Sequence, residues 1–515
     1  MGDPQYLSFP KLALAQSVFT LASPSTDHAA KETSRTALQD AIREHKMAPL
    51  YAYLAHPQTG KLNISGEGGS GALSPVISRT NTRSEAPPAH LLRRTSSINA
   101  PSIVGVLGGK LDPSATLAWD EKLYEQLKEE NEKELATIAK EEEDAAETQG
   151  ETEVQGSRAK RAEFYARVGD KDKALEAFEA LMEKTGILAT KIDIVLAIIR
   201  IGLFFDDKLL VKKNVDRAQQ LVESGGDWDR RNRLKAYSGL HLLTIRAYNL
   251  GASGLLDSLS TFTSSELCSY SELVVYATLA GAVSLPRRDF KSKVVDAPEI
   301  RAIFGAGSEE ERLAALSGTA ADGEEMAVDE TSQKKKKDAT ATPNPTAVNL
   351  TTLASGSASA DAQAAAEPKL DFTPLATMIS SLYNGNYASF FRSLAAVEES
   401  FLSKDRYLYE HRSWFVREMR LRAYQQLLQS YKVVSLESMA KSFGVGVEWL
   451  DRDLAPFIAG KRLQASIDRV KGVVEMERVQ GKGGQYHDVV RQGDQLITKL
   501  QKYGQVVRLR GSERS

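Results

Sequence analysis

The chain has 515 residues, 42% hydrophobic and 26% charged, enough for about two to four domains and a large core. A formal net charge of −2 gives no global pull towards nucleic acid or anionic membrane. The single Cys268 excludes an internal disulfide framework and a cysteine-based zinc cluster; it fits a reducing compartment and is expected as a buried small hydrophobe. No apolar run approaches the ~20 residues that span a bilayer. MGDPQYLSFPKLALAQ lacks the basic region, apolar core and cleavage site of a signal peptide, so a soluble intracellular protein is expected.

Residues 1–59 carry two short amphipathic helices, predicted at Leu12–Leu21 and Thr36–Lys46. Within 60–115, Gly60–Pro113 is rich in Gly, Ser, Thr and Pro and is expected to be disordered. Residues 116–304 open with a charged helix, Trp119–Ala146, bearing the sparse stripe Leu123, Leu127, Leu135 and Ile138 and suited to packing along one edge. Helical hairpins follow. Tyr165 precedes a Gly169-Asp170 turn, and Ala174 and Phe178 follow it; a small residue opposite aromatic rings is the spacing of a tetratricopeptide unit. Ile192–Phe205, Val215–Val222, Arg233–Tyr248 and Leu273–Ala282 keep helical periodicity more loosely, as in a degenerate α-solenoid.

Residues 305–369 break the pattern. Gly305–Pro368 has acidic clusters, Lys334–Lys337 and few large apolar residues, and is expected to be a floppy insertion. Helical periodicity resumes in 370–432, through Tyr387–Phe401 and Tyr409–Tyr431.

Residues 433–478 read as a winged helix. Ser435 caps a helix with Leu436, Met439, Ala440 and Phe443 on one face, and Gly444 ends it. A second helix aligns Val447, Leu450, Leu454, Phe457 and Ile458 and stops at Gly460. Leu463, Ala465 and Ile467 alternate as a strand, Arg469–Gly472 turns, and Val473–Met476 returns. Such a module suggests a nucleic-acid reader, but the second helix carries Glu448, Asp451 and Asp453 against Arg452. An element that tracks phosphates needs net positive charge, so protein docking is the expected role. The candidate contact residues are Leu463, Ala465, Ile467, Val473, Val474 and Met476, offered as a sheet edge to a neighbour.

In 479–515, after a joint at Gly481, Gly483 and Gly484, Tyr486, Val489, Gly493, Leu496, Leu500, Tyr503 and Val507 alternate three- and four-residue steps. That is a seam of roughly three heptads. Nothing follows it in the chain, so Tyr486, Val489, Leu496, Leu500, Tyr503 and Val507 are expected to meet a helix of another chain.

No catalytic, cofactor or metal site is expected. Gly66–Gly71 matches a dinucleotide fingerprint formally but follows no buried strand. GKGG at Gly481 lacks the rest of a phosphate loop, and the seven histidines (His28, His45, His56, His90, His241, His411, His487) form no zinc motif. Arg93-Arg94-Thr95-Ser96 has the form of a basic-directed phosphorylation site, and Lys334–Lys337 reads as an import signal or as solvating charge. In Gly225–Arg233, the two glycines end a helix, Asp227 or Asp229 caps the next and Trp228 anchors the joint. Its arginines are expected to pair with the adjacent aspartates rather than with phosphate.

GGDWDRRNRLKAYSGLH (Gly225–His241), STFTSSEL (Ser260–Leu267), WFVREMRLRAYQQLLQSY (Trp414–Tyr431) and SLESMAKSFGVGVEWLDRDLAPFIAGKRL (Ser435–Leu463) resemble PCI-domain subunits of the 26S proteasome regulatory lid. KMAPLYAYL (Lys46–Leu54) also fits, and the resemblance covers most of Trp119–Phe304 and Phe372–Leu509. It implies a mainly α fold: a right-handed α-solenoid of TPR-like hairpins, a winged-helix (PCI) module and a C-terminal helix. It further implies a non-catalytic scaffold in a hetero-oligomer of cytoplasm and nucleus. Winged helices there pair side by side, and C-terminal helices form a bundle. Its partners are other PCI subunits, the lid deubiquitinase and the ATPase ring, with no cofactor, nucleic acid or membrane. The alternatives are the homologous signalosome subunit and a nucleic-acid-associated PCI scaffold of translation initiation or mRNA export. The sequence departs from the family in its two long insertions, in Gly251 and Gly254, which would loosen one hairpin, and in Pro456, which would bend the second winged-helix helix.

Overall fold

The computed structural model describes residues 7–63, 102–107, 111–112, 115–148, 151–304, 371–476 and 482–512. Gly66–Gly71, Arg93–Ser96, Lys334–Lys337 and the whole of Gly305–Pro368 lie outside these residues. The chain divides into two compact units: Met1–Tyr383 with Ser393–Val416, and Asn384–Arg392 with Arg417–Ser515. The mainly α class holds, with helical hairpins, a winged-helix module and a C-terminal helix.

The first unit begins with α1 (Leu12–Ala22), α2 (His28–Glu44) and α3 (Ala48–Ala55). The Asp27 carboxylate accepts from the His28 amide, so α2 starts earlier than its apolar stripe indicates. The ends of the Gly60–Pro113 segment, expected to lack structure, are built into the fold. Leu62, Ile103 and Leu107 are buried, the Tyr53 hydroxyl reaches Ser102 at 3.0 Å, and Lys31 is ion-paired with Asp112. Asn63 ties the loop base together, donating to the Ala55 and Leu117 carbonyls at 2.6 and 3.0 Å.

The charged helix α4 (Glu121–Thr148) lies along α5 (Glu151–Val168) through Glu134–Arg167 and Glu142–Arg158 pairs at 2.5 and 3.1 Å. Then come α6 (Lys171–Lys184), α7 (Leu188–Phe204), α8 (Lys208–Gly225), α9 (Trp228–Thr244), α10 (Tyr248–Ser258) and α11 (Tyr270–Ser284). Ala174 and Phe178 are buried as expected, but Tyr165 is half-buried and Phe164 takes the inner position beside it.

Hairpins α2–α3, α5–α6, α7–α8 and α9–α10 share one turn. A left-handed residue sits in each: Lys46 (φ 54°), Gly169 (84°), Asp206 (56°) and Arg246 (64°). The next amide then reaches the carbonyl five residues back, with Met47 to Ile42 at 3.0 Å, Asp170 to Tyr165 at 3.2 Å, and Asp207 to Gly202 and Ala247 to Leu242 both at 2.8 Å. This is the Schellman closure of a helix end. The repeat is therefore regular in backbone geometry while the residue at the turn varies.

Gly251 does not loosen its hairpin. A Cβ there would stand 3.2 Å from the Gly239 carbonyl oxygen, and one on Gly239 would stand 2.7 Å from Leu255 Cγ. Both glycines let α9 and α10 approach closely.

Short helices α12 (Arg287–Phe290) and α13 (Pro298–Phe304) close this run, and α14 (Thr373–Asn384) resumes it. Residues Lys404–His411, which include α16 (Arg406–Tyr409) after α15 (Tyr387–Val397), then key into the first unit. Gln16 of α1 donates to the Lys404 carbonyl at 2.7 Å and accepts from the Arg406 amide at 3.1 Å. Arg406, fully buried, donates to the Phe204 carbonyl at 2.8 Å, where the negative end of α7 favours a cation. Asp405 caps α16 through the Tyr407 amide at 2.7 Å and accepts from the Tyr276 hydroxyl. Burial drives the Asp405 carboxyl up to about 6.

The second unit takes α17 (Arg412–Ser430) from Arg417 onward, followed by β1 (Val433–Ser435), α18 (Leu436–Phe443), α19 (Val447–Ala459), β2 (Ala465–Asp468) and β3 (Val473–Met476). Ser435 caps α18 through the Ser438 amide at 3.2 Å, and Gly444 ends it at φ 68°. Tyr387, Phe391, Tyr424 and Phe443 form its aromatic core, with Tyr387 stacked on Phe443 at 4.7 Å. The last helix, α20 (Lys482–Ser512), starts at Lys482, so Gly483 and Gly484 are helical rather than a joint.

Candidate assembly surfaces

Three strands cannot all offer an edge. The sheet order is β1-β3-β2, with β3 bonded antiparallel on both sides: Val474 faces Val434 and Ile467. Val473, Val474 and Met476 therefore sit on the central strand, and the expectation that they present an edge is corrected. Leu463 and Ala465 are buried, and Val474 is fully so, which makes them part of the core under the wing. Of the candidate residues, Ile467 alone is a partly exposed residue on the outer strand β2. The second outer strand is β1, where Val433 is exposed, as is Tyr431 just before it. Its three residues were missed because Val433-Val434-Ser435 is too short for alternation to register; two β-branched residues after Ser430 were the available signal.

The charge on α19 is also redistributed by the fold. Asp453 turns inward, accepting from Arg420 at 2.9 Å and from the Tyr424 hydroxyl at 2.8 Å. Asp451 pairs with Arg469 of the wing at 2.9 Å. A shallow groove between helix and wing thus has Glu448 and Asp451 balanced by Arg452 and Arg469 over a floor of Ala455, Pro456 and Ala459. The face is neutral rather than acidic. It still lacks the surplus cations that phosphate contacts require.

The seam on α20 is open along its length. Tyr486, Val489, Leu496, Leu500, Tyr503 and Val507 are all exposed, and so are Val490, Ile497 and Val506, which the heptad reading missed; the values run from 50% for Val506 to 72% for Tyr486. Burying one such side chain is worth about 1.5–3 kcal/mol, so this stripe is a large unrealised stabilisation in the chain alone.

Family descriptions match three stretches: 26S proteasome subunit RPN7 over residues 120–293, PCI domain over 389–478, and the RPN7/PSMD6 C-terminal helix over 485–507. The 26S proteasome regulatory subunit RPN7 of Saccharomyces cerevisiae is 38% identical over 402 residues, 77% of this chain and 79% of the relative. The Schizosaccharomyces pombe rpn7 protein is 33% identical over 502 residues, 97% of each chain. The Dictyostelium discoideum 26S proteasome non-ATPase regulatory subunit 6 is 34% identical over 393 residues, 76% of this chain and 86% of the relative. The chain belongs to this family. It is a PCI-domain scaffold subunit of the proteasome regulatory lid and works within a hetero-oligomer.

The other motifs serve the scaffold of this RPN7-family chain. Arg230 grips Asp193 with two bonds, at 3.0 and 2.6 Å, and Arg233 joins Asp229 and Glu266 at 2.9 and 2.7 Å. The adjacent Asp227 and Asp229 do pair with Arg230 and Arg233, as expected, but both arginines also reach carboxylates more than thirty residues away, so they tie α9 to Asp193 of α7 and to Glu266. Trp228 does not anchor the joint: it is 65% exposed. Cys268 is buried, and burial pushes its thiol up, away from reactivity. Among the described residues no cluster of His, Cys, Asp or Glu is placed to hold a metal, and no helix is long and apolar enough to cross a membrane.

Proposed function

We propose that this subunit is a non-catalytic spacer of the lid in cytoplasm and nucleus. Its winged helix pairs with PCI domains of neighbouring lid subunits through an outer strand edge, and its C-terminal helix joins a bundle of partner helices. Through these contacts it supports the positions of the lid deubiquitinase and the ATPase ring over ubiquitylated substrates. The observation that carries this reading is the exposed apolar stripe on α20, too long and too regular to be stable against water without a partner. Ser466 and Ile467 on β2, and Val433 on β1, are the edge positions that sheet addition would use.

The test is reconstitution of the lid with the chain truncated after Gly484. The expected result is a folded protein, unchanged in thermal denaturation, that fails to enter the lid. Normal incorporation would contradict the reading.

A further inference from the structure

The repeated hairpin turn leaves the same carbonyl at the end of each first helix, two residues before the left-handed position: Phe204 before Asp206, and Thr244 before Arg246. The segment Lys404–His411 bonds both. The Arg406 guanidinium donates to the Phe204 carbonyl at 2.8 Å, and His411 Nε2 donates to the Thr244 carbonyl at 2.9 Å. The two residues are five apart, about 7.5 Å along a helix, close to the distance of about 8–10 Å between packed helices. One short turn laid across α7 and α9 thus matches their spacing.

This segment is docked at a cost. Asp405 and Arg406 are adjacent and buried, yet they make no ion pair with each other. The Asp405 carboxylate takes the Tyr276 hydroxyl and the amides of Tyr407 and Leu408, with Glu272 of α11 adding a second negative charge nearby. Arg406 Nη1 is closed off from solvent and has no hydrogen-bond partner. Buried charges with incomplete partners weaken the element that carries them. Upstream, Glu398–Leu402 form a single π turn, with the Ser403 amide on the Glu398 carbonyl at 2.9 Å, a geometry that interrupts helices at mobile points. The Lys208–Glu410 pair at the outer side is half in water and holds weakly. The helix beneath is of another kind: in α7, Ile192 and Ile194–Phe204 are all buried. Local stability is therefore low in the segment and high in the hairpins under it.

We propose that Lys404–His411 is a releasable clip. Closed, it holds the ends of α7 and α9 in register; it opens as a unit while the hairpins beneath stay folded. Arg406 and His411 are its positioning residues, and Asp405 sets how readily it opens. The clip does not depend on the docking reading above, so either can fail alone.

The test is native-state hydrogen exchange of the full chain at neutral pH in low urea. It follows the amides of Asp405–Tyr409 and His411, hydrogen-bonded at Asp405, Arg406, Tyr407, Leu408, Tyr409 and His411. They are expected to exchange at least about tenfold faster than core amides of α7 and α9, with a weaker urea dependence. Asp405→Asn removes a buried charge and keeps the cap acceptor; it should slow exchange of the clip by about tenfold or more. His411→Ala should speed it by about tenfold, and His411→Gln, which keeps an N–H donor, should restore most of the loss. In His411→Ala the Ala247 amide, in the turn beside Thr244, should also speed up, while the Asp170 amide, in a turn the clip does not reach, should not. Circular dichroism verifies that each variant is folded. Exchange of the clip with the rate and urea dependence of the α7 and α9 core would overturn the proposal. So would unslowed exchange in Asp405→Asn, wild-type exchange of the clip in His411→Ala, or equal changes at Ala247 and Asp170.

Discussion

The first and last helices among the described residues both carry apolar side chains that need cover, α1 over nearly its whole surface and α20 along a stripe, and they meet opposite fates. In α1, Leu12, Ala15, Val18, Phe19, Leu21 and Ala22 are buried, and Phe19 stands edge-on to Tyr409 at 5.2 Å. In α20, every side chain of the apolar seam is at least half exposed. The difference lies in the cover: Lys404–His411 returns across the first unit to close over α1 through Gln16 and Phe19. Amphipathic pattern states that a face must be covered; it does not state by what.

The contrast is sharpest in stability. Phe19→Ala should destabilise the free chain by about 3–5 kcal/mol, whereas Leu500→Ala should change it by less than about 0.5 kcal/mol. Urea denaturation of the two variants measures both, and equal effects would break the comparison. Asp405, in the segment that covers α1, sharpens it through pH. Its carboxyl loses its proton near 3.8 when unfolded and at about 6 when folded, so the native state binds the extra proton in that window. Stability from this group is full below the lower value and is lost as pH rises through about 6. Asp405→Asn keeps the cap acceptor and should stabilise the protein at neutral pH by on the order of 2–3 kcal/mol, with the gain vanishing towards pH 4. Thermal melts across that range read it out.

Smaller effects test the repeat geometry. Gly169→Ala puts a side chain at φ 84° with its Cβ 2.9 Å from Leu50 Cβ, and should cost about 1–2 kcal/mol in the same denaturation assay. Trp228→Ala should cost less than about 0.5 kcal/mol despite the size of the residue, because a lone exposed aromatic is not a seam. A large loss at Trp228 would show that exposure alone is a poor guide here.

Much of the second unit was legible in the sequence, because Ser435, Gly444, the apolar rows of α18 and α19 and the Arg469–Gly472 turn are local signals. The strand order was not. Which strand lies in the middle depends on β1, and three residues carry almost no pattern. The inward turn of Asp453 was hidden for the same reason: it depends on Arg420 and Tyr424, about thirty residues upstream on another helix. In the first unit the hairpins were legible but their common turn was not, since Lys46, Asp206 and Arg246 occupy a position where glycine is the usual signal. The three-and-four spacing of α20 showed its seam, while Val490 and Ile497 lie beside that spacing rather than on it.

If α20 is a docking helix, it is uncovered in the free chain and covered in the assembly. Hydrogen exchange of residues 486–507 in the free subunit and in the purified regulatory lid tests it most directly. The expected result is fast exchange in the free chain and strong protection in the lid, with α1 protected in both. Equal exchange of residues 486–507 in the two states would contradict the account.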